Sequence, residues 1–390
     1  MKKILAFLMT IVILFKSLGS FFTLLDSYVT IFYVALLLLT ISYCLLTTNK
    51  KIIVEPVFII FLLYLFINVI VLQPPAVFNS FGRLSFFVIL MLVATPLLKS
   101  DSFDNYRLFL FDFISNLLIV LSVICFVCYF LGINWFVSNG NLLEDFYEIG
   151  GHFAGVLNQS MLLGEYSGLA SVVCLTRFIR NKNKIWLGIL IICLGALFFS
   201  ASRAALLATV GAIIVVLKVF YGNTRKLVTR LAVISGILII LFPLWSFLLS
   251  GMLYKQNERI DIANDGGRFG SRTEMFETRI AESASSPILG VGFASSSNVH
   301  ELHEGGNLEP GSSWLFMLSS TGVIGFFFVA LLFERGIRRQ KCCQGERSLV
   351  YIGFLTFFIV HMIFEGYVYS ANNPVCLLLW LTIGLSIEET

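Results

Sequence analysis

Charge is scarce in this sequence: only 13% of its 390 residues are Asp, Glu, Lys or Arg, against 58% that are hydrophobic and 15% that are aromatic. That shortage excludes an ordinary soluble domain, because a mean hydropathy of +0.90 leaves more apolar surface than one water-facing globule can hide. Histidine is scarce too, at four residues. His300 and His303 stand three apart beside Glu301 and Glu304, with no third ligand at a fixed spacing, which is too little for a zinc site. Asp261 and Asp265 read as solvated loop carboxylates, so neither a metal nor a cofactor is expected. The cysteines fall in apolar runs or in loops assigned below to the cytoplasm, which leaves no disulfide on the outer side. A nucleotide-binding glycine fold is also missing, since the GVG at 290–292 lacks the strand and the spacing and reads as a tight turn. No internal repeat is visible, and no small-residue cleavage site follows the first apolar run, which reads as an uncleaved span.

Apolar runs are what the chain has in abundance. A helix crosses about 30 Å of hydrocarbon with about 20 mostly apolar residues. Runs of that kind lie near 4–24, 28–47, 53–72, 83–98, 108–133, 161–178, 185–201, 204–220, 227–249, 313–333, 348–366 and 372–387. The fold class is therefore all-α: a polytopic integral membrane protein with about 12 transmembrane helices and one large extracytoplasmic loop between helices 9 and 10 that carries short helices. Four regions follow: N-terminal spans over 1–135, central spans with the first outer loop over 136–249, the large loop over 250–312, and C-terminal spans over 313–390.

Lys and Arg in short loops resist translocation, and their distribution orients the spans. With the N-terminus inside, the inner face collects Lys2, Lys3, Lys50, Lys51, Lys99, Arg107, Arg177, Arg180, Lys182, Lys184, Arg225, Lys226, Arg335, Arg338 and Arg339 among others. Both termini are expected in the cytoplasm, the chain being a multi-pass membrane protein. The net charge of +4 is then mostly topogenic and implies no nucleic-acid partner. This orientation exports segments 134–160 and 250–312. It leaves Arg83, Arg203, Arg268, Arg272 and Arg279 on the outer side, where the positive-inside tendency would remove them if they had no use.

Arginine is a planar fork suited to phosphate oxygens, and this collection points to an anionic substrate at the outer leaflet. Arg203, in the stretch LFFSASRAALLA, sits between two spans. At the bilayer centre it would cost about 2.5 to 3.5 kcal/mol, but at the outer mouth snorkelling lowers that cost. The segment 271–284, SRTEMFETRIAESA, reads as an amphipathic helix opened by a capping pattern of Ser271 and Glu274, with Arg272 and Arg279 on one face beside Met275 and Phe276. An interfacial helix whose arginines touch lipid headgroups fits the same pattern. His361 and Glu365, four apart near the end of a span, are placed to pair with each other.

Four stretches, in their order, resemble the O-antigen polymerase and O-antigen ligase superfamily of bacterial envelope polysaccharide enzymes. They are GHFAGVLNQSMLLGEYSGLA at 151–170, SRAALLA after a span, GSRTEMFETRIAESASSPILGVGF in the loop, and EPGSSWLFMLSSTGVIGFFF entering the following span. The resemblance covers roughly 150–335. It departs from the ligase pattern where a His-Asn pair usually precedes the span, since Gly311 and Ser312 stand near that place after Glu309.

The resemblance implies a metal-independent glycosyltransferase that joins undecaprenyl-pyrophosphate-linked repeat units into O-antigen, capsule or exopolysaccharide. Arg203 and Arg272 would stabilise the departing pyrophosphate, with Arg83, Arg268 and Arg279 as further substrate-binding residues. Glu309, His300 or His303 would take the hydroxyl proton. The implied partners are the lipid-linked glycans, membrane lipids, and a chain-length regulator and flippase of the same pathway. Two other readings stay open: a ligase or related lipid-linked glycan transferase, and a lipid-linked oligosaccharide flippase or transporter.

Overall fold

The computed structural model describes residues 1–18, 26–48, 52–135, 153–222, 271–297, 310–341, 343 and 345–388. Among these residues the only regular elements besides a short 3-10 turn at Ala76–Phe78 are α-helices, and β-pairing is limited to two isolated bridges, Leu18 with Leu157 and Ile53 with Lys99. In chain order the helices are α1 Lys2–Ser17, α2 Asp26–Leu46, α3 Pro56–Leu72, α4 Ser80–Ala94, α5 Asp101–Leu131, α6 Ser160–Asn181, α7 Lys184–Phe199, α8 Arg203–Tyr221, α9 Ser271–Ser285, α10 Ser313–Lys341, α11 Glu346–His361 and α12 Pro374–Glu388. Eleven of the twelve predicted spans coincide with one of these helices. The twelfth, 227–249, lies outside the described residues.

Six of the helices are long and apolar enough to cross a membrane, and α3, α7 and α12 are shorter apolar helices. Local signals in the sequence set their ends. Pro56 opens α3, where its missing N–H breaks no helical bond. The side chains of Ser100 and Asn183 cap α5 and α7. Gly132 closes α5 with a φ of 70°, a backbone conformation that side chains disfavour.

Helices α6 and α12 run through the interior of the bundle. Within the apolar window of α6 78% of residues are buried, against 28% for α2 and α8, so lipid-facing surface falls to the outer helices. Small residues permit this. Gly168 meets Thr209 of α8 and Phe357 of α11, and Gly353 of α11 meets Val172, with no room for a Cβ.

The helices run alternately between two ends. At one end, here called the site end, α1, α3, α5, α7 and α11 finish and α6, α8 and α10 begin. The opposite end is tied by ion pairs. Arg107, fully buried, binds Glu388 at 2.7 Å and Asp104 at 3.3 Å, and it donates to the carbonyls of Val93 and Leu98. Arg347 binds Asp112 at 3.0 Å.

Helix α10 departs from the uninterrupted span expected at 313–333. Gly322 has φ 62° and ψ −171° in the middle of it. The Trp314 ring lies 5.4 Å from Phe326 and 5.7 Å from Phe333, centroid to centroid. In a straight helix residues 314 and 333 would be about 28 Å apart. The leading turns, 313–321, are therefore folded back along the rest of α10, with Gly322 at the bend. A Cβ at Gly322 would collide with the carbonyl oxygen of Ile288, so the bend also depends on glycine for space.

The segment 286–297 packs against that bend. Val291 and Gly292 donate their N–H groups to Ser319 and Ser320 at 2.8 and 3.0 Å, and Val323 donates to Pro287 at 2.9 Å. Asn68 of α3 donates to Leu289 and accepts from the Phe293 N–H at 2.7 and 2.8 Å. Phe293, completely buried, joins Phe87, Tyr369 and Trp380 in an aromatic cluster. This part of the predicted outer loop is thus built into the helical bundle. Its unpaired backbone groups find partners on α3 and on the exposed ends of the broken helix, as burial requires.

Candidate active site

The turn between α7 and α8 carries Arg203, and serine hydroxyls fix it. Ser200 Oγ donates to the Leu197 carbonyl at 2.7 Å, and the Ser202 N–H donates back to Ser200 Oγ at 3.3 Å. Ser202 then accepts from Ala205 as the cap of α8. Ala201 sits between them with φ 50°, a left-handed conformation that a non-glycine residue adopts at some cost. Ser200, Ala201 and Ser202 are all buried, whereas Arg203, the first residue of α8, is exposed. The turn thus presents a guanidinium at a helix N-terminus, where backbone N–H groups and the helix dipole already favour an anion.

The start of α6 lies directly against this turn, since a Cβ on Gly164 would stand 2.6 Å from Ser202 Cβ and 3.0 Å from Ser200 Oγ. The next residue, Glu165, reaches the other way. Its Oε1 is 3.6 Å from Nδ1 of His361, the last residue of α11, and that nitrogen is also 3.2 Å from the Tyr367 hydroxyl. The Phe357 and Tyr367 rings lie close to the imidazole and nearly parallel to it. Tyr166 beside it bonds Ser17 at the end of α1 at 2.7 Å. The spacing of four put Glu365 beside His361; α11 ends at His361, the Glu365 N–H donates to the His361 carbonyl at 3.1 Å in the turn that follows, and α6 brings a further carboxylate, Glu165, to Nδ1.

The beginning of α10 is fastened to that turn. Ser313 donates its N–H to the carbonyls of Met362 and Glu365, its hydroxyl to Glu365 at 2.7 Å, and accepts from the Tyr367 N–H at 3.0 Å. Ser312 Oγ donates to Met362. Pro310 packs so closely on Gly366 that no Cβ would fit there. Gly311, at φ 73°, lies under Met275 and Phe276 of α9.

Helix α9 begins at Ser271, where the capping pattern puts it, but the side chains of residues 271–274, Arg272 included, lie outside the described residues. Arg279 is turned inward. It is completely buried, its Nη1 is 2.8 Å from Glu282 Oε2, and its guanidinium lies 5.3 Å from the centre of the Phe316 ring. Glu282 Oε1 accepts from the Ser296 hydroxyl, the Ser297 N–H and the Ser297 hydroxyl at 2.8, 2.6 and 2.8 Å. Burial alone would raise the Glu282 pKa. The Arg279 charge and these donors outweigh it and hold the carboxyl below its ordinary range. The pair fastens 295–297 to α9.

Arg83, near the start of α4, donates to the Ala294 carbonyl at 3.3 Å and touches the same inserted segment. Arg268, His300, His303 and Glu309 lie outside the described residues. Among the described residues no group of His, Cys, Asp and Glu could hold a metal ion. Glu165 escaped the sequence reading, and His361 was read only beside Glu365. The signal for Glu165 was present, since it is an acidic residue inside the apolar run 161–178, and ionisable residues in such runs mark function by default. That it would meet His361, almost 200 positions away, had no sequence signal.

The four stretches singled out in the sequence therefore form one contiguous assembly at the site end. The start of α6 touches the SRA turn and His361, the turn after α11 holds the start of α10, and α9 lies on both Gly311 and Phe316. No curated protein matches the chain. Residues 167–330 match the family described as O-antigen ligase, and that match indicates membrane glycan processing of the O-antigen ligase or polymerase kind. The match supports the O-antigen polymerase and ligase superfamily for this chain.

Proposed function

We propose that this protein polymerises undecaprenyl-pyrophosphate-linked oligosaccharide repeat units at the outer face of the bacterial plasma membrane. The site end would face outward, and the opposite end, rich in Lys and Arg, would face the cytoplasm with both termini. The observation that carries this reading is the convergence of the four family-like stretches at one end of the bundle, with Arg203 displayed there on a helix N-terminus.

In the reaction, an acceptor sugar hydroxyl attacks the anomeric carbon of the donor glycan. The bond from that carbon to the pyrophosphate oxygen breaks, and the electron pair leaves with the lipid pyrophosphate. Arg203 and Arg272 stabilise the charge that develops on it, with Arg83 and Arg268 as further phosphate contacts. Arg279, committed to Glu282, contributes by holding the inserted segment beside Arg83. Glu309, His300 and His303 are the proton acceptors that the resemblance suggests.

Polymerisation is favoured over ligation by the backbone at Gly311. Its left-handed φ and its contact with Met275 leave no unstrained place for the histidine that ligases carry near this position. Purified protein in lipid vesicles, supplied with a lipid-linked repeat unit, is expected to yield a ladder of longer lipid-linked glycans. Transfer only to a lipid A core acceptor, with no ladder, would establish a ligase instead.

A further inference from the structure

A carboxylate and an imidazole are buried together where the four stretches meet, and the reading above gives neither of them work. Glu165 is 6% exposed and His361 is completely buried. Glu165 is the sixth residue of α6, so it lies about 8 Å along the axis from the first residue of that helix. A buried ion pair is weak as a stabiliser, and apolar residues of the same size often do as well or better. Ionisable side chains within membrane-spanning segments are therefore retained for function.

The surroundings hold this pair in one geometry. The Phe357 and Tyr367 rings lie beside the imidazole and nearly parallel to it, with ring centroids at 5.1 and 5.8 Å. Nδ1 is directed at both Glu165 Oε1 and the Tyr367 hydroxyl. Ser313 fastens the Tyr367 backbone to the start of α10. On the other side, Gly164 presses α6 against the turn that presents Arg203. The pair thus sits between the element that displays the phosphate-binding arginine and the element that follows Glu309.

We propose that Glu165 is the proton acceptor for the attacking sugar hydroxyl, with His361 as a positioning residue that shares the proton. This rests on the glycan-transfer reading and gives the role of base to Glu165 in place of Glu309, His300 and His303. As the sugar oxygen bonds to the anomeric carbon, its proton passes to the Glu165–His361 pair while the pyrophosphate leaves with the electron pair, and the pair then returns the proton to solvent. A carboxylate that orients and shares charge with an imidazole is an arrangement suited to this task. The other titratable groups facing the pair are Tyr166 on α6 and Glu365 and Tyr367 on the segment after α11.

The test is chain growth on a lipid-linked repeat unit in vesicles, measured as a function of pH and acceptor concentration. Glu165→Gln is expected to lower turnover about 100-fold, within the range of a lost general base, with the half-saturating acceptor concentration unchanged. The acid limb of the rate–pH profile should disappear. His361→Gln should lower turnover less and move that limb. A merely structural role predicts lower yield and melting temperature with an unchanged profile in the protein that remains. That result, or wild-type turnover in Glu165→Gln, overturns the proposal while the transfer reading stands. If Glu165→Gln fails to accumulate, His361→Gln supplies the same readout, and an unmoved limb there overturns the proposal. Absence of any chain growth by the wild-type protein removes the transfer reading, and the proposal with it.

Discussion

Removing the Arg279 guanidinium should release the inserted segment from α9. Arg279→Met keeps the stem and its packing on Phe316 but leaves Glu282 as a buried carboxylate held only by Ser296 and Ser297. Breaking one partner of a buried pair costs about 3–5 kcal/mol. That is a shift of roughly 10²- to 10⁴-fold in the equilibrium between seated and released segment. Glu282→Gln should cost a similar amount, because it strands the arginine and weakens three hydrogen bonds. The double variant Arg279→Met/Glu282→Gln should be less unstable than the sum of the two, with the difference measuring the pair.

Acid provides an independent arm. Because the folded Glu282 pKa is depressed, its contribution is complete above the ordinary carboxylate value of 4.5 and is lost as pH falls below it through the folded value. Wild-type protein should lose melting temperature in that window more steeply than Glu282→Gln. The assay is thermal unfolding of detergent-purified protein, followed by aggregation-sensitive size exclusion, at neutral and acid pH. If Arg279→Met melts like the wild type yet makes no polymer, the guanidinium acts on substrate and the structural account of the pair is wrong.

Arg203→Ala should abolish polymer while the protein accumulates normally in membranes, and Arg203→Lys should rescue poorly because the bidentate fork is lost; both are read by glycan ladders and immunoblots. Gly322→Ala should destabilise by more than about 1–3 kcal/mol, since it combines a disfavoured φ with a collision against Ile288; reduced yield and melting temperature measure it. A cysteine at Ile133, near the site end, should react with a membrane-impermeant thiol reagent in intact spheroplasts and one at Asn181 should not; the reverse pattern would invert the orientation. Chain growth should survive chelation of divalent ions. Activity that is lost and then restored by adding a divalent ion back would refute the arginine-based mechanism.

The sequence by itself determined the class of this protein and where its helices run. Length of apolar run and hydration energy decide those features locally, which is why eleven predicted spans have a helix in the structure. It also determined which stretches deserve attention, through arginines kept where topology disfavours them and through motif order. Three matters were decided only by the tertiary structure, each because it depends on pairs far apart in the chain. The bend in α10 looked like an unbroken span, since Gly322 differs little from other glycines in apolar helices until Ile288 is packed against it. Arg279 and Arg272, seven apart, looked equivalent from spacing alone. Burial against Phe316 and the proximity of Ser296 and Ser297 commit Arg279 to Glu282. His361 has Glu365 at the helical spacing of four, but only the packing of α6 through its small residues shows that a second carboxylate, Glu165, also reaches the imidazole. Periodicity reports which face a side chain occupies, whereas its partner is fixed by which helices can approach closely enough to meet it.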